Sequence, residues 1–300
     1  MIWVVVSLVV LWILASMKMS RADGTLVKVH PYRRMMPYIM NGRNESVVYF
    51  DTYVDAEKML AFSDAAKGEF TCNVTHCLVG AVSVALLESP TMNRFIAGRR
   101  LYHRKERVIT FSMKRKKKDK KAKIGVVRLA MEDGESFREL CGRINGNVKA
   151  ERTEKQTYMD KELNLFLKLP RPVLNAGVRL LKLVDYYNLL PKAFIDGDGM
   201  FTSVFIANLG SLDMGAGYHH LYEWGTCPLF MMVGKIEERA VVVDGEVVAR
   251  PMLHIRWSYD ERIDDGLTSK SGIDAVVRAL ENPEQYLPLD SPLTSQLLDS

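Results

Sequence analysis

Tyr259-Asp260-Glu261-Arg262-Ile263-Asp264-Asp265-Gly266 closes a long β-rich run and opens the last helix of this 300-residue chain. The stretch predicts a strand end, a polar turn and a helix start, a corner of the kind on which folds place chemistry, because an exposed loop is held between rigid flanks. Upstream, Phe205-Ile206-Ala207-Asn208-Leu209-Gly210 predicts a central strand running into a turn. Between the two, Ala240 to Pro251 predicts a hairpin, since Asp244-Gly245 flanked by Val-rich arms suits a two-residue turn.

In that order and at about those separations, the three segments resemble the catalytic domain of the dihydrolipoyl acyltransferases of 2-oxoacid dehydrogenase complexes, relatives of chloramphenicol acetyltransferase. The family pattern at the closing stretch is Asp-His-Arg-x-x-Asp-Gly, and its His is the general base that takes the proton from a thiol or hydroxyl attacking an acyl-CoA. Arg262, Asp265 and Gly266 match this pattern, whereas the His position is Glu261. The resemblance also implies a Ser or Thr hydroxyl that steadies the tetrahedral oxyanion. That position is Ala207, with Asn208 beside it as the remaining donor. The implied fold is α/β, a two-layer mixed β-sheet with helices on one face, chloramphenicol acetyltransferase-like, over about residues 30 to 285. A homotrimer with active centres between subunits is implied as well, with coenzyme A thioester as substrate and no lipoyl domain in the chain. Glu261, Asp265 and Asn208 are thus the catalytic candidates, framed by Arg262 and Gly266.

Gly217 to Thr226 holds two adjacent histidines, His219 and His220, with Glu223 and Trp224 close behind. If the site has been rebuilt, either His is a candidate replacement base, oriented by Glu223 or Glu261. The plainer alternative is that these groups hydrogen-bond the loop together. Adjacent side chains of an extended segment point apart, so no metal is expected here. His76, on an apolar helix predicted over 72–88, reads as a core histidine bonded to a neighbour.

Ile2 to Met17 is almost wholly apolar, a run at the short edge of what spans a hydrocarbon core of about 30 Å. It predicts an N-terminal transmembrane helix acting as a single-pass signal anchor over residues 1–21, with membrane lipid as a partner. A removed signal peptide or a buried N-terminal element are the alternatives. Lys18, Arg21, Lys28, Arg33 and Arg34 follow the run, which would leave the globular domain, 22–300, on the cytoplasmic side. Four cysteines at spacings that match no zinc motif are expected buried and reduced.

The formal net charge of +5 is concentrated in Lys114 to Lys123. This run reads as a solvated loop, or as an attraction for anionic lipid or the phosphates of CoA. No nucleic-acid motif or interleaved aromatics accompany it, so nucleic acid is not an expected partner. From about 160 to 192 the sequence departs from the family with a helical insertion, carrying Leu163 to Leu169 and then Val173 to Tyr187. Two function classes are open: a membrane-anchored CoA-dependent acyltransferase, or a catalytically inactive trimeric scaffold or CoA-sensing module on the same fold.

Overall fold

The computed structural model describes residues 2–114, 124–152 and 168–294. In chain order the strands are β1 (Gly24–Leu26), β2 (Val47–Asp55), β3 (Arg94–Ala97), β4 (Arg100–Arg104), β5 (Val108–Lys114), β6 (Ile124–Ala130), β7 (Val204–Asn208), β8 (Leu229–Val243) and β9 (Glu246–Asp260). The helices are α1 (Ile2–Met17), α2 (Pro31–Ile39), α3 (Glu57–Ala66), α4 (Val74–Glu88), α5 (Phe137–Arg152), α6 (Arg171–Tyr186), α7 (Lys192–Gly197), α8 (Gly266–Glu281) and α9 (Pro283–Tyr286).

Six strands form one mixed sheet in the order β2-β9-β8-β7-β5-β6. β7 lies parallel to both β5 and β8, and the remaining pairings are antiparallel. An almost unbroken apolar sequence suits β7 to this central place, because both of its faces are covered. Val204 and Ile206 join the main core under the helices, while Phe205 and Ala207 face the other way, against Leu221, Phe230 and Met232. α4 is buried from His76 to Leu86, and α8 buries Ile273, Val276, Ala279 and Leu280 beside it. The mixed two-layer α/β architecture therefore stands as expected, its second face covered in part by the loop that carries the two histidines.

The hairpin joining β8 and β9 turns through Asp244 (φ 51°) and Gly245 (φ 88°), the positive-φ pair of a type I′ turn. Its distal half runs past the sheet as a two-stranded ribbon, leaving Val242 and Val247 each 71% exposed. A second, three-stranded sheet, β1-β4-β3, was not foreseen. Strands of three to five residues rich in arginine carry too little alternation to show in sequence.

The transmembrane helix is a correction. α1 has 16 residues, about 24 Å at 1.5 Å per residue against a core of about 30 Å. Among the described residues no helix is long and apolar enough to cross a membrane. The single-pass anchor, the lipid partner and the cytoplasmic placement of the domain rested on that span and fall with it. The chain leaves α1 by turning, held by Arg100, which donates to the carbonyls of Ser16 (2.5 Å) and Lys18 (2.8 Å). In the insertion, α6 buries no residue fully and leans Leu181 and Val184 on a small cluster around Leu190, Ile195 and Phe201. Residues 115–123 of the lysine run and Leu163 to Leu167 lie outside the described residues.

Candidate active site

At the corner after β9, Asp260 is wholly buried and Arg262 is 4% exposed. The guanidinium grips both carboxylate oxygens, Nε to Oδ1 and Nη2 to Oδ2, each at 2.8 Å. A third donation from Arg262 runs to the carbonyl of Met40 at 3.1 Å, and the Ser46 hydroxyl donates to Asp260 at 3.1 Å. This planar fork fixes the turn geometry and ties it to the start of β2. Asp265 is the N-cap of α8, accepting from the Thr268 amide at 2.9 Å and its hydroxyl at 2.8 Å, and those donors hold its carboxyl below the usual range. Gly266 opens the helix with nothing within 4 Å of where a Cβ would stand. Glu261 donates its amide to the Ser46 carbonyl at 3.0 Å while its side chain is exposed.

At the end of β7 the Asn208 side chain is fixed from both ends. Its oxygen accepts from the Ser211 amide at 3.2 Å and its Nδ2 donates to the Thr75 hydroxyl at 3.1 Å, which decides the amide orientation. One Nδ2 hydrogen remains for another acceptor. The turn beyond depends on Gly210, where a Cβ would lie 2.5 Å from the Gly234 carbonyl oxygen. Here the carboxyl ends of β5 and β7, with Gly234, Lys235 and Ile236 midway along β8, face the N-terminus of α4, and a cavity of about 540 Å³ opens between them. Phe111, Val74, Ile144 and Leu253 give it apolar walls, and Thr75, His76, Asn208 and Lys235 give it polar ones. A crevice outside the carboxyl ends of parallel strands is where α/β sheets take ligands. Sequence reading missed it, although the strand end at Asn208 was in view.

His219 stacks on Phe230 with ring centroids 4.0 Å apart, and on His220 at 4.9 Å. Its Nδ1 lies 2.6 Å from the His220 carbonyl and so carries the proton of the neutral ring, and burial lowers its pKa. His220 donates likewise to the Leu221 carbonyl at 3.0 Å. The two rings are stacked side by side, so the expectation that they point apart does not hold. Glu223 orients neither. It accepts from the amides of Asn44 (3.0 Å) and Arg43 (3.2 Å), and although burial opposes ionisation, those donors hold its carboxyl below the usual range. Among the described residues no group of three His, Cys, Asp or Glu is placed to hold a metal ion. His76 is buried with Nε2 3.2 Å from Asn145 Oδ1 and a pKa lowered by burial. The four cysteines are free and buried.

The sheet register sets these groups apart. Asn208 pairs with Val233, and Val233 pairs with Ile255, so Asn208 stands level with Ile255. Glu261 lies six residues further along, about 20 Å at 3.3 Å per residue. Within one chain, Asn208 and Glu261 sit at opposite ends of the sheet. His219, beside Phe230 and bonded through its carbonyl to the Ser258 hydroxyl, lies toward the Glu261 end.

Residues 198–288 match the family model of the 2-oxoacid dehydrogenases acyltransferase catalytic domain. Over this stretch, a little under a third of the chain, the sequence is similar to that family. A stretch of 53 residues is 49% identical to the dihydrolipoyllysine-residue succinyltransferase component of the 2-oxoglutarate dehydrogenase complex of Rickettsia conorii, covering 18% of this chain and 13% of that one. The chain therefore matches about an eighth of that relative's length. Fold likeness extends further. The dihydrolipoamide acetyltransferase of Azotobacter vinelandii, solved to examine the role of a serine, a histidine and an asparagine in its catalytic mechanism, superposes with a TM-score of 0.55 at 18% identity over 86% of this chain and 93% of that one. A chloramphenicol acetyltransferase does so with a TM-score of 0.53 at 11% identity, over 86% and 99%. The stretch that matches the family model thus contains both the β7 turn and the corner at Glu261, at opposite ends of its sheet.

Proposed function

We propose that this chain is a CoA-dependent acyltransferase that works as a homotrimer, with each active centre completed by two copies. The observation that carries this reading is the cavity at the carboxyl ends of β5 and β7, with the spare Nδ2 hydrogen of Asn208 at its rim and the family-like corner some 20 Å away in the same chain. Two ends of one sheet act on one substrate only if a neighbouring copy brings its Glu261 to the cavity. The exposed ribbon of β8 and β9 agrees with this, because a two-stranded ribbon with bare valines gains most of its stability from a partner.

In this site the acyl group of a CoA thioester lies among Phe111, Val74 and Ile144. Glu261 of the neighbour takes the proton from an acceptor thiol or hydroxyl, and the freed anion attacks the thioester carbon. Asn208 donates to the oxyanion, in place of the hydroxyl absent at Ala207. The C–S bond then breaks and the CoA thiolate recovers the proton from Glu261. One observation favours a second reading, the inactive trimeric scaffold or CoA-sensing module: Ala207 is packed beside Phe205, Phe230 and Met232 with nothing to donate.

The test is release of free thiol from acetyl-CoA with a small dithiol acceptor. Turnover is expected from the parent and a loss of roughly 10² to 10⁴ from Glu261→Gln, the range of a missing general base. A folded parent without turnover would instead support the inactive reading.

A further inference from the structure

Between α2, the segment before it and the β3–β4 hairpin lies a cavity of about 850 Å³, larger than the one at the strand ends. Its cations are Lys28, Arg33, Arg34, Arg99 and Arg100, and no carboxylate lines it. Arg262 reaches its edge, but that charge is already answered by Asp260. None of the five others makes an ion pair within 4 Å among the described residues, although Arg33 stands near enough to Asp265 to stabilise its charge. Arg100 spends its donors on the carbonyls of Ser16 and Lys18, Arg33 donates to the Arg262 carbonyl at 3.4 Å, and Arg99 donates to the Asn41 side-chain oxygen at 3.1 Å. These contacts aim the guanidinium groups without neutralising them. Met35, Ile96 and Leu101 form an apolar wall, and Tyr38 carries Arg99 over its ring at 5.1 Å.

Five like charges around one concave, partly apolar space repel one another and focus a positive potential there. An anion entering the space relieves that repulsion, and guanidinium forks match phosphate oxygens in geometry. The apolar wall and Tyr38 suit a flat ring system attached to the phosphates. We propose that this cavity binds a phosphorylated ligand of nucleotide size, its phosphates on Lys28, Arg34 and the arginines behind them and its ring against Tyr38 and the apolar wall. The ligand is either a free nucleotide or the nucleotide end of a CoA thioester. Binding at this cavity is independent of acyl transfer and is read without turnover.

The experiment is calorimetric titration of the whole chain with ADP, with adenosine 3′,5′-bisphosphate, with CoA and with inorganic phosphate, at low and at raised salt. It is repeated on Lys28→Gln/Arg34→Gln, two side chains with no ion-pair partner among the described residues, and on Arg99→Gln, with melting curves to establish that each variant folds. Saturable binding of the nucleotides that weakens with salt and falls at least tenfold in the double variant is expected. Equal binding of ADP and CoA would identify a free-nucleotide site, and binding of CoA and the bisphosphate alone would identify the source as the donor's own nucleotide end. No saturable binding by any probe would overturn the inference, as would binding that folded Lys28→Gln/Arg34→Gln and Arg99→Gln both retain unchanged.

Discussion

Arg262→Met removes one half of a buried ion pair. Asp260 has no exposed surface and loses two charge-assisted hydrogen bonds of 2.8 Å, keeping only the Ser46 hydroxyl and the Arg262 amide. Such bonds are worth about 1.5–3 kcal/mol each, and breaking a buried pair by deleting one partner costs about 3–5 kcal/mol, because the remaining charge stays in a poor solvent. Removing both charges at once is a different perturbation. Asp260→Leu/Arg262→Met strands neither member of the pair, although buried Arg43 loses the negative charge of Asp260 and keeps that of Glu223, and the double variant is expected to lose less than the sum of the singles, a coupling of about 2 kcal/mol or more. Urea unfolding followed by the fluorescence of Trp257, buried in the adjoining strand, reads all four corners of the cycle. At roughly 2–4 °C per kcal/mol the single variant should also melt about 10 °C lower. A single variant that loses less than about 1 kcal/mol, or a double variant that loses the sum of the singles, would refute the reading of Arg262 as the clamp that sets this corner.

Gly210→Ala should lower stability by about 1–3 kcal/mol in the same unfolding assay, since its Cβ would meet the backbone oxygen of Gly234 at 2.5 Å and backbone yields poorly. For pH, His76 and His219 both have pKa values lowered by burial. The unfolded chain therefore takes up their protons first, so their contribution is complete above about pH 6.5 and is lost as pH falls from there through the lowered folded values. Melting temperature against pH should bend downward below about 6.5, and His76→Gln should flatten part of the bend.

Elements with local signals were legible. Asp244-Gly245 declared its hairpin through the φ > 0 that both positions require, and the polar turn before Gly266 declared the start of α8, where the structure adds Asp265 as the cap. Apolar runs gave α4 and β7. Relations set by distance along the chain were not legible. Ala207, Asn208 and Glu261 are close in family pattern, yet the register of β7, β8 and β9 places Asn208 and Glu261 at opposite ends of the sheet. Glu223 pairs with Asn44, 179 residues away, so its nearness in sequence to His219 and His220 misled. The apolar run in α1 reads alike whether or not it is long enough to span, and the helix ends where Arg100, 84 residues on, takes the Ser16 carbonyl. The Asp51 cluster, in which His254 (2.7 Å), Arg256 (2.8 Å) and the Tyr218 hydroxyl (3.0 Å) share one carboxylate on the sheet's open face, left no sequence signal beyond alternation in β2 and β9.

The proposed acyl transfer needs Glu261 of one copy to serve the cavity of another. Asn208→Ala and Glu261→Gln should each abolish acetyl-CoA turnover alone. Unfolded together, mixed in equal amounts and refolded, they form trimers in which a neighbouring pair combines an intact Glu261 with an intact Asn208 at about one site in four, so about a quarter of the parental rate should return. A mixture shown by mass to contain both chains in one assembly, yet no more active than either variant alone, would contradict a shared active centre.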